Sequence, residues 1–234
     1  MRLLRESRAV NFSSFIQNAA VMALPVLLAI TIHEAAHAYV ARRLGDPTAA
    51  LLGRVTLNPL RHIDPFGTLL LPLLLLFATQ GALMFGYAKP VPVNARKLRN
   101  PRYDMVWVAL AGPLSNLLQA VLWTLLLAAL LWLGQQGLYE PFFKHMAEAG
   151  IIVNLMLAAL NLFPLPPLDG GRIAVGLLPA RPAHYLARLE PLGFFIVLGL
   201  LWLNLLDRYW LYPLLEAGRQ VLLQPLQWLG LPLP

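Results

Sequence analysis

The stretch Leu28-Ala29-Ile30-Thr31-Ile32-His33-Glu34-Ala35-Ala36-His37-Ala38-Tyr39-Val40-Ala41-Arg42-Arg43 sets two histidines and a glutamate inside an otherwise apolar run. An ionisable side chain at bilayer depth costs roughly 2.5 to 3.5 kcal/mol on insertion scales, so three within five residues need a purpose. Side chains at i and i+4 leave the same face of a helix. His33 and His37 can therefore grip one ion, and Glu34 can reach a water on that ion as general base. A buried hydrogen-bonded cluster without metal is the plainer alternative, but chance rarely writes His-Glu-x-x-His into a chain of this composition.

Composition supports membrane depth. Of 234 residues, 59% are apolar and 12% charged, and the mean hydropathy is +0.64. A soluble domain carries about a quarter of its residues as Asp, Glu, Lys or Arg. So few charges cannot cover a water-soluble globule, and an integral membrane protein is the class implied. The net charge of +7 would also suit nucleic acid, but a membrane protein reaches it by crowding Lys and Arg into cytoplasmic loops. A lipid bilayer is thus the expected partner, and no nucleic acid. Residues 1–234 fit one membrane domain with no room for a separate soluble module. The absence of cysteine excludes disulfides, thiolate metal sites and cysteine nucleophiles.

Five apolar stretches mark the expected membrane segments: 15–41, 67–85, 105–133, 147–163 and 191–206. About 20 residues cross the hydrocarbon core as a helix. A sixth stretch, 209–233, holds Glu216, Arg219 and several Gln and Pro residues, and with Trp210, Tyr212 and Trp228 it reads as interfacial. The fold class expected is an all-α membrane protein, a polytopic bundle of about 4–6 segments. Its core covers 15–172, and 173–234 forms a C-terminal segment and tail. Arg2, Arg5 and Arg8 ahead of the first run mimic a signal peptide, but the run is long and keeps ionisable residues, so it reads as a retained span.

Two histidines do not complete a catalytic zinc site, which takes three protein ligands and an open position. Without cysteine the third must be His, Asp or Glu. Asp169 is the best candidate, in Asn161-Leu-Phe-Pro-Leu-Pro-Pro-Leu-Asp-Gly170, where prolines end the helix and a glycine pair lets the backbone turn. Non-helical backbone at membrane depth survives only when buried or lining a watery cavity.

Three blocks together, His33-Glu34-x-x-His37, Gly112-Pro-Leu-Ser-Asn116 and Asn161-x-x-Pro164-x-Pro166-x-Leu168-Asp169-Gly170, make the chain resemble the site-2 proteases, zinc metalloproteases that cut within the membrane. The resemblance implies one catalytic Zn2+ on His33, His37 and Asp169, with Glu34 activating water. It also implies that Asn116 and Asn161 hold substrate backbone or the developing oxyanion. Read from the residues alone, interhelical hydrogen bonding for Asn116 and capping of a helix end for Asn161 compete with those roles. The match is to a short form without a PDZ-like domain, and the implied substrate is a transmembrane segment of another membrane protein.

If every stretch crossed once, His37 and Asp169 would sit a membrane apart. They meet if 67–93 enters and returns on one side, helped by breaks at Pro72, Gly81, Gly86, Pro90 and Pro92. The extended part of that re-entrant element, between the first and second core helices, could then pair with an unwound substrate by strand addition. The distribution of Lys and Arg leans the active site slightly towards the cytoplasmic side. Two other classes compete. A metal or ion transporter would not need Glu beside the first His and has no paired inverted repeat here, and a proteolytically inactive binding protein would not need the whole ligand set.

Overall fold

A computed structural model of the chain describes residues 12–70, 74, 89–135 and 141–231. Helix α1, Phe12–Arg43, carries the His-Glu-x-x-His block on an almost unbroken Ala, Leu and Val run. Arg42 and Arg43 in its last turn suit the negative end of the helix dipole. The helix ends where Gly45 takes φ of 110°, a conformation that side chains rarely adopt. A single turn α2, Thr48–Leu51, follows, then short helical turns at Pro59–Arg61 and Pro65–Leu70. Residues 89–94 are non-helical and lead through a turn at Ala95–Lys97 into the long helix α3, Pro101–Gln135. Then come α4 (Pro141–Asn161), α5 (Asp169–Leu177), α6 (Ala180–Ala187), α7 (Glu190–Trp202) and α8 (Tyr212–Trp228).

The described residues are an all-helical bundle. Among the described residues, three helices are long and apolar enough to cross a membrane: Ala19–Arg43, Pro101–Gly134 and Pro141–Asn161. They realise the stretches expected at 15–41, 105–133 and 147–163. The stretch at 191–206 gives a helix of only 13 residues, α7. It reaches spanning length only together with α6, from which it bends by 69°. Of the stretch 67–85, only 67–70 and Leu74 are described, and the first eleven residues also lie outside the described residues.

Helices α1, α3 and α4 pack on one another, and α5 packs against α3. Trp123 and Leu127 of α3 meet Ile151 and Leu155 of α4 and Leu226 of α8 in one buried cluster. The tail expected at the interface therefore docks through α8 on the bundle, because Leu215, Leu222 and Leu226 fall on one face of it. Leu118, Leu122 and Leu125 of α3 remain more than half exposed. Hydrocarbon solvates such a face as well as protein does, so close packing rather than burial from water holds the helices together. Trp107 and Trp132, both exposed, stand at the two ends of α3. Their separation along the axis, about 37 Å at 1.5 Å per residue, matches the distance between the headgroup zones where Trp concentrates.

Residues 89–94 are clamped along their backbone. The Lys89 N–H donates to the His62 carbonyl at 2.9 Å, so at Lys89 the chain is back beside His62. The buried Arg54 donates to the carbonyls of Lys89 at 3.2 Å and Pro90 at 3.3 Å. At the far end the fully buried Asp46 accepts from the Asn94 N–H at 2.6 Å and from both the N–H and hydroxyl of Thr48.

Burial alone would raise the Asp46 pKa, but the bonds from Thr48 and Asn94 and the nearby Lys97 outweigh it and hold the carboxyl below its ordinary range. A carboxyl with a lowered folded pKa stabilises the fold above its unfolded value, about 3.9, and that contribution fades as pH falls through the folded value. Asp46→Ala should therefore cost about 1–3 kcal/mol near pH 7. In thermal unfolding followed in detergent, the gap from wild type should narrow steadily below about pH 4; a gap independent of pH would contradict this.

Candidate metal centre

His33 and His37 lie one turn apart on α1, with ring centroids 4.6 Å apart and planes at 87°. The His33 Nδ1–H donates to Asn116 Oδ1 at 2.6 Å and the His37 Nδ1–H to the Val108 carbonyl at 2.7 Å. Both acceptors belong to α3, and each fixes the tautomer of its ring. The proton sits on Nδ1 and the Nε2 lone pair faces inward.

The amide orientation behind His33 is forced from further out. Asn154 Nδ2 donates to the Gly150 carbonyl within α4 at 2.9 Å, which turns its oxygen towards Asn116. Asn116 Nδ2 donates to that oxygen at 2.9 Å and to the Ala29 carbonyl at 3.2 Å, which leaves Oδ1 as the acceptor for His33. Both asparagines are fully buried. Both amide protons of Asn116 and one acceptor position of its oxygen are thus engaged inside the protein, behind His33. Asn161 makes a local bond at the end of α4. Its amide folds back on the Leu157 carbonyl at 3.0 Å, closing the last turn of α4.

Asp169 opens α5 immediately after the Pro-rich break. Glycines follow because α5 starts against that loop: a Cβ on Gly170 would lie 2.2 Å from the Leu162 oxygen, and one on Gly171 2.0 Å from the Pro166 nitrogen. Neither glycine has a positive φ. Their role is close approach, where the sequence suggested a turn.

The three candidate ligand atoms form a triangle. His33 Nε2 and His37 Nε2 are 3.0 Å apart, and Asp169 Oδ2 lies 3.3 Å from the first and 3.2 Å from the second. All three residues are buried. Two lone pairs and a carboxylate oxygen face one point, and Oδ2 makes no hydrogen bond there. Such a convergence is repulsive unless a proton or a metal ion occupies it. The edge of a tetrahedron with bonds of 2.0–2.1 Å is about 3.3 Å, so the donor set fits zinc in both chemistry and spacing.

Glu34, half-buried, faces the clamped segment, where its Oε2 accepts the Val91 N–H at 2.9 Å. Pro90 and Pro92 have no N–H, so Val91 carries the only backbone donor across 90–92 and it goes to Glu34. His62 lies outside the cluster, donating from Nε2 to the Thr56 carbonyl at 3.0 Å.

Sequence reasoning missed Asn154, Val108 and Val91. The first sits seven residues before Asn161 in an apolar run, where a lone polar residue was a usable signal. The other two act through backbone atoms and leave no mark in side-chain identity.

Gly112 is where α3 passes the two rings, and a Cβ there would lie 2.4 Å from His37 Nε2 and 2.5 Å from His33 Cε1. Gly112→Ala should displace the ligands. Asn116→Leu should release His33 from its tautomer and lower zinc affinity about 10–100-fold, the usual effect of losing a partner behind a ligand. Competition with a chromogenic chelator measures both, and wild-type affinity in both variants would refute the arrangement.

Comparison with known proteins places this geometry among relatives. The model of Peptidase family M50 matches residues 21–149 and 134–203. A Bacillus subtilis protein named "Putative zinc metalloprotease YwhC" is 40% identical over 205 residues, which cover 87% of this chain and 89% of its own length. The similarly named Rip2 of Mycolicibacterium smegmatis is 33% identical over 208 residues, covering 83% of this chain and 76% of the relative. Rip2 of Mycobacterium tuberculosis is 37% identical over 147 residues, 62% of this chain and 52% of the relative. No solved structure matches significantly.

Proposed function

The chain belongs to peptidase family M50, the site-2 protease family, and is a zinc metalloprotease; from that premise we propose that it cuts transmembrane segments of other membrane proteins inside the bilayer. The observation that carries this reading is the meeting of His33, His37 and Asp169 at one point beside Gly112 and Asn116 of the membrane-spanning α3. A soluble protease has no reason to bring its ligands together on helices with lipid-suited faces.

In this reading His33, His37 and Asp169 hold the zinc. When bound, zinc supplies the acidity that makes a water nucleophilic near neutral pH and the charge that offsets the developing oxyanion. Glu34 takes the proton of the attacking water and later delivers it to the leaving nitrogen. The Val91 N–H holds the Glu34 carboxylate ready for that transfer. Asn116 and Asn154 act behind His33 as positioning residues, and Asn161 shapes the end of α4.

Peptide bonds within a stable helix keep their carbonyls in internal hydrogen bonds, so the substrate must unwind before attack. Segments of weak helical character are the preferred class. At Lys89 the chain is back beside His62, and the non-helical residues 89–94 offer an unwound substrate a backbone to pair with. Lys89, Arg96, Lys97, Arg99 and Arg102 crowd this side of the chain, which supports a site opening towards the cytoplasm.

Purified protein reconstituted with zinc and a single-span peptide tests the reading. Glu34→Gln should retain zinc and lose about 10²–10⁴-fold in cleavage rate. Undiminished cleavage would remove Glu34 from the mechanism, and zinc flux across vesicles without cleavage would favour a transporter.

A further inference from the structure

Between the clamped segment and the loop that delivers Asp169 lies a cavity of about 600 Å³ lined by none of His33, Glu34, His37 and Asp169. Its walls include Val93, Met105, Pro166, Val175, Ala183 and Ala187. Two of these tie it to the centre. Val93 stands two residues beyond Val91, which holds Glu34, and Pro166 belongs to the loop that delivers Asp169. The space exists because α6 presents small side chains to it, Ala180, Ala183 and Ala187, at helical spacing.

The lining holds three charged residues, Arg102, Arg172 and Glu190. Arg102 donates from Nε to the Gly176 carbonyl at 2.8 Å and from Nη2 to the Leu178 carbonyl, satisfying the end of α5. Arg172 and Glu190 face each other at 3.9 Å. The one acid and one of the two bases of the lining thus sit opposite each other at its exposed edge. The lining otherwise suits apolar groups, and the volume lies within the usual range of ligand sites, about 300–1,000 Å³.

We infer that this cavity is a subsite for the substrate chain next to the scissile bond, taking an unwound segment with apolar side chains. The inference rests on the proposed intramembrane cleavage. A cavity of this size is about 8 Å across if equidimensional, which is two to three residues of extended chain at about 3.3 Å each. An extended peptide running alongside Val93 enters it directly, because Val93 is both part of the clamped segment and part of the wall.

The native chain has no cysteine, so disulfide cross-linking tests the assignment cleanly. Ala183→Cys and Ala187→Cys are each combined with Glu34→Gln to keep the substrate whole, and mixed with single-cysteine versions of a peptide that the wild-type enzyme cleaves. Cross-linking confined to a block of two or three consecutive peptide positions on one side of the cut is the expected result. Cysteines that react with a small thiol reagent yet join no peptide position, or join all positions equally, overturn the subsite and favour a lipid chain as occupant. If the wild-type enzyme cleaves no membrane peptide, or Glu34→Gln cleaves as fast, the failure lies in the proteolytic reading itself.

Discussion

Everything in this fold turns on three electron-pair donors, His33 Nε2, His37 Nε2 and Asp169 Oδ2, held within 3.0–3.3 Å of one another among apolar helices. Without a proton or a metal ion between them that contact is repulsive, and its spacing is that of one face of a zinc tetrahedron. The cost of keeping ionisable groups at membrane depth explains why so much of the bundle is devoted to steering them. Val108 and Asn116 aim the two rings, Gly112 leaves room for them, and Gly170 and Gly171 let α5 start close enough to present the carboxylate.

A second set of contacts governs the general base. Glu34 projects from the ligand helix but takes its hydrogen bond from Val91, 57 residues further along the chain. That segment is fixed by Arg54 at its start and Asp46 at its end. Because Pro90 and Pro92 contribute no donors, the segment directs a single N–H to the glutamate. The same feature leaves it non-helical beside the site, where an unwound peptide needs a backbone to lie along.

How much of this was legible in the sequence follows from the range of each interaction. The ligand pair His33 and His37 is local to one helix turn, and Asp169 stood out because no cysteine competed and prolines broke the helix ahead of it. The spans at α1, α3 and α4 followed from length and hydropathy. Asn116 was visible as a polar residue beside a glycine, but its role was not. Which way its amide points depends on Asn154 and on the Ala29 carbonyl, contacts that exist only after three helices pack. The docking of α8 was hidden for a similar reason: its polar and proline content resembles an interfacial segment, and only the partner face on α4 shows where Leu226 goes.

The central claim is that zinc sits on two imidazoles and one carboxylate. X-ray absorption at the zinc edge of the reconstituted protein tests it most directly. A first shell of two imidazole nitrogens at about 2.0–2.1 Å with oxygen donors completing four ligands, reduced to one imidazole in His37→Ala, is the result this account predicts. A wild-type shell with no imidazole or with three, or one that His37→Ala leaves unchanged, would contradict it.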